Sequence, residues 1–271
     1  MNPNNLRGTA LITGASTGIG ATYADRLARR GYDLILVARD QSRLQVLAER
    51  LRAETGVKVD VLKADLIDKV ELASVEQRLR DDETITLLVN NAGMAAAGGL
   101  LGGDIEQLDR MIQLNTVAPT RLAHALAPGL VARGKGGIIN IASVLALAPE
   151  MFGGTYSGTK AFMLNFSLAL HGELAPHGAW SQAVLPGATA TEIWDRSGTG
   201  IENIPAEIIM SVDEMVDAAL AGLDMGERVT IPSLPDIAQW ESFNQARQAL
   251  GPHLSLKHAA ARYRRATAEA V

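Results

Sequence analysis

The chain has 271 residues, 47% of them hydrophobic and 20% charged, with a net charge of −5 and a pI near 5.6. A chain of that length buries a large core as one α/β unit, and its acidity argues against nucleic acid as a partner, because phosphate binding needs a basic footprint. Without cysteine there are no disulfides, no thiolate metal site and no cysteine nucleophile.

TALIT (9–13) reads as a buried strand and GIGATYADRLARRG (18–31) as the helix after it, with Arg29 and Arg30 in the last turn and Gly31 as its cap. DLILVA (33–38) is the second strand, and 41–55 repeats apolar residues at helical spacing through Leu44, Leu47, Ala48 and Leu51. VKVDVLKA (57–64) is a third strand, 68–80 a helix and ITLLVN (85–90) a fourth strand. Helices near 104–113 and 115–133, a strand at 137–142, a helix over 155–175 and a strand at 181–185 follow. The segment 190–212 carries glycines, a proline and scattered large apolar residues, and is expected to be a lid over a substrate pocket. A helix capped by Ser211, a last strand at RVTIP and a helical tail over 235–271, including HAAARYRRATAEA, complete the chain. Apolar strands alternating with helices predict a doubly wound parallel sheet covered on both faces, the Rossmann type, in a single domain.

TGASTGIG (13–20) lies between the first strand and the first helix. Gly14 allows a tight turn, Gly18 lets a phosphate approach the backbone, and Gly20 lets the helix pack close to the sheet. The N–H groups of the helix start then face a pyrophosphate. The second strand ends in Arg39, whose guanidinium suits a 2′-phosphate, so NADP(H) is the expected cofactor; Asp40 directly after it keeps NAD(H) open.

In YSGTK, Tyr156 and Lys160 stand four apart and share one face of a helix. A neighbouring ammonium favours phenolate and is expected to lower the tyrosine pKa, a positively charged nicotinamide would lower it further, and a tyrosine so tuned acts as general acid or base near neutral pH. On its own such a pair is usually a surface contact, just as Ser143 could merely end a strand and Asn115 cap a helix.

TGASTGIG, NNAG (90–93), NIASV with Ser143, YSGTK and PG (186–187) occur in that order, and together they resemble the short-chain dehydrogenase/reductase family over roughly residues 7–190. The resemblance implies Tyr156 as acid/base, Lys160 as the lysine that tunes it and holds the nicotinamide ribose, Ser143 as the donor to the reacting oxygen, and Asn115 as the residue whose main chain holds a relay water. It implies cofactor contacts from Gly14, Ser16, Thr17, Gly18, Ile19, Gly20, Arg39, Asp65, Leu66, Asn91, Ala92 and Gly93. Tyr156, Lys160, Pro186, Gly187, Thr189 and Thr191 complete that set, Thr189 standing where many relatives have valine. The implied reaction is hydride transfer between NADP(H) and a carbonyl/alcohol pair, with a small-molecule substrate and a homodimer or homotetramer as the assembly. The alternatives are a catalytically silent NADP-binding regulatory protein of the same fold, and an epimerase or dehydratase. Ile193, Trp194 and Ile201 on one side, and Met94, Leu145 and Phe152 on the other, are candidate walls of the substrate pocket.

The five histidines, at 124, 171, 177, 253 and 258, show no metal-binding spacing, so no metal is expected. No apolar run reaches the roughly 18 residues of a membrane span, and MNPNNLRGTA lacks the apolar stretch of a secretory signal. A cytoplasmic protein without a membrane partner is the expectation.

Overall fold

The computed structural model describes residues 8–96 and 99–263. Its first unit begins β1 (Thr9–Thr13), α1 (Gly18–Arg29), β2 (Asp33–Ala38), α2 (Gln41–Thr55), β3 (Val59–Lys63), α3 (Lys69–Asp81) and β4 (Ile85–Asn90). The second half continues with a short α4 (Gly99–Gly102), α5 (Ile105–Ile112), α6 (Ala118–Arg133), β5 (Gly137–Ile141), α7 (Gly154–Leu174) and β6 (Trp180–Val184). It closes with α8 (Ile193–Ser197), α9 (Val212–Asp224) and β7 (Val229–Thr230). The seven strands are all parallel in the order β3-β2-β1-β4-β5-β6-β7. This is the expected doubly wound Rossmann sheet.

Alternation along the strands builds two cores. Ala10, Ile12, Leu34, Leu36, Leu87 and Val89 face α1, α2 and α9, where Tyr23, Leu27, Leu44, Leu51, Met215 and Leu220 are buried. Leu11, Ile35, Val37, Leu88 and Ile138 face the other way, onto Leu72, Val75, Leu122, Leu126, Leu170 and Leu174 of α3, α6 and α7. A strand apolar on both sides is what a sheet covered on both faces requires. The strand order reverses between β1 and β4, so their carboxyl ends open a crevice, the usual ligand position in this topology.

Two local details correct the expected boundaries. The segment 115–133 is not one helix from its start: Gln113–Val117 is a π-helical turn between α5 and α6. Single π turns of this kind cluster at functional sites. The lid segment is not featureless either. It holds α8 and two 3-10 turns, Ile201–Asn203 and Ala206–Ile208, and a parallel bridge between Thr189 and Met210 pins its two ends together.

Residues from Ser233 form a second, smaller compact unit. Its helix α10 (Ile237–Ala249) is capped by the Asp236 carboxylate, which accepts from the Ala238 N–H, and the Trp240 and Phe243 rings meet at 5.7 Å. The helical reading of the tail holds for QARQAL as far as Ala249, whereas 258–263 forms no α-helix, only a 3-10 turn at Ala261–Tyr263. The remainder of the expected tail helix lies outside the described residues. No described helix is long and apolar enough to cross a membrane.

Candidate active site

The glycine loop leaves β1 at Gly14, which has φ +66°, and reaches α1 through Gly18 at φ +53°. A Cβ on Gly14 would sit 2.9 Å from the Ala92 Cα, and one on Gly20 only 2.3 Å from the Gly14 carbonyl oxygen. Both positions therefore exclude side chains for different reasons, one through backbone conformation as well as space, the other through close approach alone. Thr17, the residue before α1, makes no side-chain cap, so its helix start keeps N–H groups available. Ser16 and Ile19 flank it, Ile19 packing partly into the core.

The turn after β4 holds this loop. Asn91 Nδ2 donates to the carbonyls of Thr13 (2.9 Å) and Gly14 (3.2 Å), while the Thr13 hydroxyl accepts from the N–H groups of Asn91 and Ala92, each at 3.0 Å. Arg39 leaves β2 with 65% of its side chain exposed, its Nη1 4.0 Å from Asp65. Asp40 is engaged elsewhere: its carboxylate caps α2 by accepting from the Arg43 N–H at 3.0 Å. Asp65 is held by its own turn, accepting from the Ile67 N–H. The Leu66 side chain is buried in the core, so only its backbone is available to a ligand.

Tyr156 and Lys160 lie on α7, one turn apart. The Lys160 ammonium is buried, donates to the Ile141 carbonyl at 3.0 Å, and stands 5.6 Å from the centroid of the Tyr156 ring. Burial pulls its pKa down from 10.5 to about 8. Burial also pushes the Tyr156 phenol up to about 12, and hydrogen bonding to the Ser143 hydroxyl pulls weakly the other way. This is opposite to the expectation that Lys160 lowers the tyrosine pKa. The amine is itself desolvated and turned to a main-chain oxygen, and burial is the dominant cause of the shift for both groups. Phe152 packs edge-on against the Tyr156 ring, with centroids 5.6 Å apart.

Ser143 follows β5 and is buried, accepting from the Leu145 N–H at 3.2 Å and lying 3.5 Å from the Pro186 carbonyl, which in turn accepts from the Val144 N–H. Asn115 sits in the π turn and fastens three elements. Its carboxamide bonds the Met94 backbone in both directions at 2.9 Å, and its Nδ2 donates to Thr159 Oγ1 at 3.1 Å. Thr159 passes the tie on to the Tyr156 carbonyl at 2.7 Å. Thr159 thus links two residues of the candidate site, a part that sequence reasoning did not give it; its only signal was a hydroxyl beside Lys160. Gly93 borders the same space: a Cβ there would lie 3.3 Å from Asn115 Oδ1 and 3.7 Å from Lys160 Nζ.

The segment after β6 completes the crevice. Thr189 donates to the Gly187 carbonyl and its own carbonyl accepts from the Trp194 indole at 2.8 Å. Thr191 lies against the glycine loop, its Cγ2 3.2 Å from where a Gly18 Cβ would stand. Ile193, Trp194, Ile201, Met94, Leu145 and Phe152 are all partly exposed, neither buried in the core nor fully in solvent. Among the described residues no group of histidine and acidic side chains could hold a metal ion.

The short chain dehydrogenase family profile matches residues 8–201. A short-chain dehydrogenase from Sphingobium yanoikuyae, solved in complex with NADPH, is 54% identical, with a TM-score of 0.92 over 95% of this chain and all of that one. The bulky-bulky ketone specific alcohol dehydrogenase of Comamonas testosteroni is 50% identical, with a TM-score of 0.88 over 95% of this chain and 99% of that one. A very-long-chain 3-oxoacyl-CoA reductase of Phaeosphaeria nodorum is 37% identical over 185 residues, 66% of this chain, which spans only 54% of that relative's length. The ordered motifs, the seven-stranded parallel sheet and the Asn115, Ser143, Tyr156 and Lys160 cluster have one common explanation: the chain belongs to the short chain dehydrogenase family.

Proposed function

We propose that this protein is an NADP(H)-dependent oxidoreductase that interconverts a ketone and a secondary alcohol, the ketone carrying at least one large apolar group. The observation that carries the reading is the junction at the carboxyl edge of the sheet, where a glycine cradle with no room for side chains meets the partly buried Tyr156 and the buried Lys160 beside it. The cradle fits a dinucleotide: Gly14 and Gly20 exclude any Cβ, and the start of α1 lacks a side-chain cap. Ser16, Thr17, Gly18 and Ile19 would hold the pyrophosphate, Arg39 the 2′-phosphate, and Asp65, Leu66, Asn91, Ala92 and Gly93 the adenosine side. Lys160, Pro186, Gly187, Thr189 and Thr191 would hold the nicotinamide half. With Asp40 committed to its helix cap, the largely exposed Arg39, only loosely paired with Asp65 at 4.0 Å, is the cation at the end of β2, which favours NADP(H) over NAD(H).

The bound dinucleotide supplies or accepts the hydride. The chain's own residues do the rest. Ser143 orients the carbonyl oxygen and steadies the charge that develops on it. Tyr156, a neutral phenol with a pKa near 12, donates the proton in reduction. Lys160, with a pKa near 8, carries a proton that is exchangeable near neutral pH behind the ring. Asn115 and Thr159 fix the turn of α7 that presents the phenol.

The partly exposed apolar rim of Met94, Leu145, Phe152, Ile193, Trp194 and Ile201 supports a bulky apolar substrate, and the named specificity of the Comamonas relative points the same way. A cytoplasmic location and a homodimer or homotetramer are part of the same proposal. The test is NADPH oxidation with a ketone series of increasing substituent size, run on the wild type and on Tyr156→Phe. Loss of about 10²–10⁴-fold in the variant, with dinucleotide binding retained, is expected; full activity in Tyr156→Phe refutes the assignment.

A further inference from the structure

Arg43, in the first turn of α2, reaches 149 residues along the chain to Glu192, at the start of the lid. Its Nη1 lies 2.9 and 3.0 Å from the two carboxylate oxygens. Glu192 also takes Arg196 Nη2 at 2.5 Å, one turn along α8. On one side of the pair, α2 and its cap Asp40 follow Arg39, whose guanidinium is largely exposed and stands 4.0 Å from Asp65. On the other, Thr191 is packed against Gly18 of the glycine loop. Beyond Glu192, the backbone of α8 and its exit is tied by the N–H groups of Gly198, Thr199 and Gly200 to the carbonyls of Asp195 and Trp194. The ion pair therefore joins the element at the adenosine end of the crevice to the N-cap residue of α8, near the start of the segment that borders the substrate end.

We infer that Arg43 and Glu192 form a clasp across the dinucleotide groove, which slows cofactor release and seats the lid. The inference rests on the dinucleotide reading above. It assigns Arg43 a different task from Arg39. Arg39 reads the 2′-phosphate and so distinguishes NADPH from NADH. Arg43, with its charge already met by Glu192, distinguishes neither and retains both. The pair is about half exposed on each side, so it opens readily, as a gate on every catalytic cycle must.

The experiment measures dinucleotide release by stopped-flow displacement, for NADPH and NADH separately, in the wild type, Arg43→Ala, Glu192→Gln and the charge-swapped Arg43→Glu/Glu192→Arg protein. Release of both dinucleotides up to about fivefold faster in each single variant is expected, which corresponds to about 1 kcal/mol at 1.4 kcal/mol per tenfold. The swapped pair restores the slow rate, and high salt speeds release in the wild type more than in the variants. Hydrogen exchange on the cofactor-free proteins provides the second measurement: the Gly198, Thr199 and Gly200 amides exchange faster in both single variants. Unchanged release rates overturn the clasp. So does slower NADPH release in Glu192→Gln, which would mean that Arg43 had turned to the 2′-phosphate. A wild type that binds neither dinucleotide refutes the underlying reading instead, and the exchange rates then still decide whether the pair holds the lid.

Discussion

Replacing Lys160 with methionine separates its charge from its volume, and the structure fixes both the sign and the size of the result. In the cofactor-free protein the buried amine titrates near 8, against 10.5 for an ordinary lysine. Folding therefore favours the neutral form. Below pH 8 the amine is charged in both the folded and unfolded states, and the full desolvation penalty opposes folding. Between pH 8 and 10.5 the unfolded chain keeps a proton that the folded one has lost, so stability rises with pH. At about 1.4 kcal/mol per pH unit, the penalty relieved across that window is about 3 kcal/mol. Lys160→Met never carries the penalty. It loses the bond to the Ile141 carbonyl, a cost of about 1–3 kcal/mol that does not depend on pH. The assay is urea unfolding of both proteins from pH 7 to 10, a range in which Tyr156 stays neutral in the fold and titrations shared by the two proteins cancel. The difference wild type minus variant should climb by about 2–3 kcal/mol over pH 8–10. A flat difference refutes the claim that this amine is desolvated, and with it the account of Lys160 as a proton carrier near neutral pH.

Four further outcomes follow from the same geometry. For the wild-type enzyme, kcat/KM for reduction declines above pH 8 as Lys160 loses its proton in the free enzyme; a profile flat to pH 10 contradicts that role. Gly20→Ala forces a Cβ to 2.3 Å from the Gly14 carbonyl, so it should destabilise by about 1–3 kcal/mol and abolish dinucleotide binding, read by calorimetry and by titration. Arg39→Ala should weaken NADPH binding by at least tenfold and leave NADH binding within a factor of two, since charge-assisted bonds to phosphate contribute about 1.5–3 kcal/mol. Asp25 resists protonation on balance, for although burial raises its pKa, hydrogen bonds from Arg29, Arg50 and Arg26 override that and hold it near 2. Its stabilisation is present above pH 4 and fades as pH falls toward 2, so Asp25→Asn should lower the melting temperature at pH 7 and lose that difference in acid.

Most of the sheet was legible because its signals are local. Strands such as DLILVA are almost wholly apolar, and glycine and serine mark the helix ends at Gly31 and Ser211, whereas the cap that Asp40 makes on α2 was not read from the sequence. The dinucleotide loop was legible for the same reason, since its glycines act within seven residues of one another. What escaped depends on distance. The π turn at Gln113–Val117 has no composition of its own; it exists where Asn115 pairs with Met94, 21 residues away, and with Thr159, 44 residues away. The Arg43–Glu192 pair joins two residues that each look like solvated helix charges. HAAARYRRATAEA is rich in helix formers, yet its described part forms no α-helix, because propensity without a buried face seldom suffices.

The tyrosine illustrates the same division more sharply. Spacing alone gave the correct neighbours, for Lys160 does stand one turn below Tyr156 with its ammonium near the ring. Spacing gave the wrong direction for the phenol, because the sign of a pKa shift depends on how much water both groups lose, and burial is a property of the whole α7–β5 contact. The corrected sign changes the chemistry expected of the resting protein. A phenol held near 12 is protonated at neutral pH but is a weaker acid than free tyrosine, so the cofactor-free site carries the proton that reduction needs and lacks the phenolate that oxidation needs. For alcohol oxidation the phenol must first be made more acidic, and positive charge brought into the crevice is the means available. Binding of an oxidised dinucleotide should therefore lower the Tyr156 pKa, whereas the reduced form should lower it less. Ultraviolet difference titration of the phenolate band, comparing the protein alone with its NADP⁺ and NADPH complexes and using Tyr156→Phe as the blank, measures that shift directly. Equal titration of this tyrosine in all three states would remove the electrostatic basis for reversible catalysis at this site.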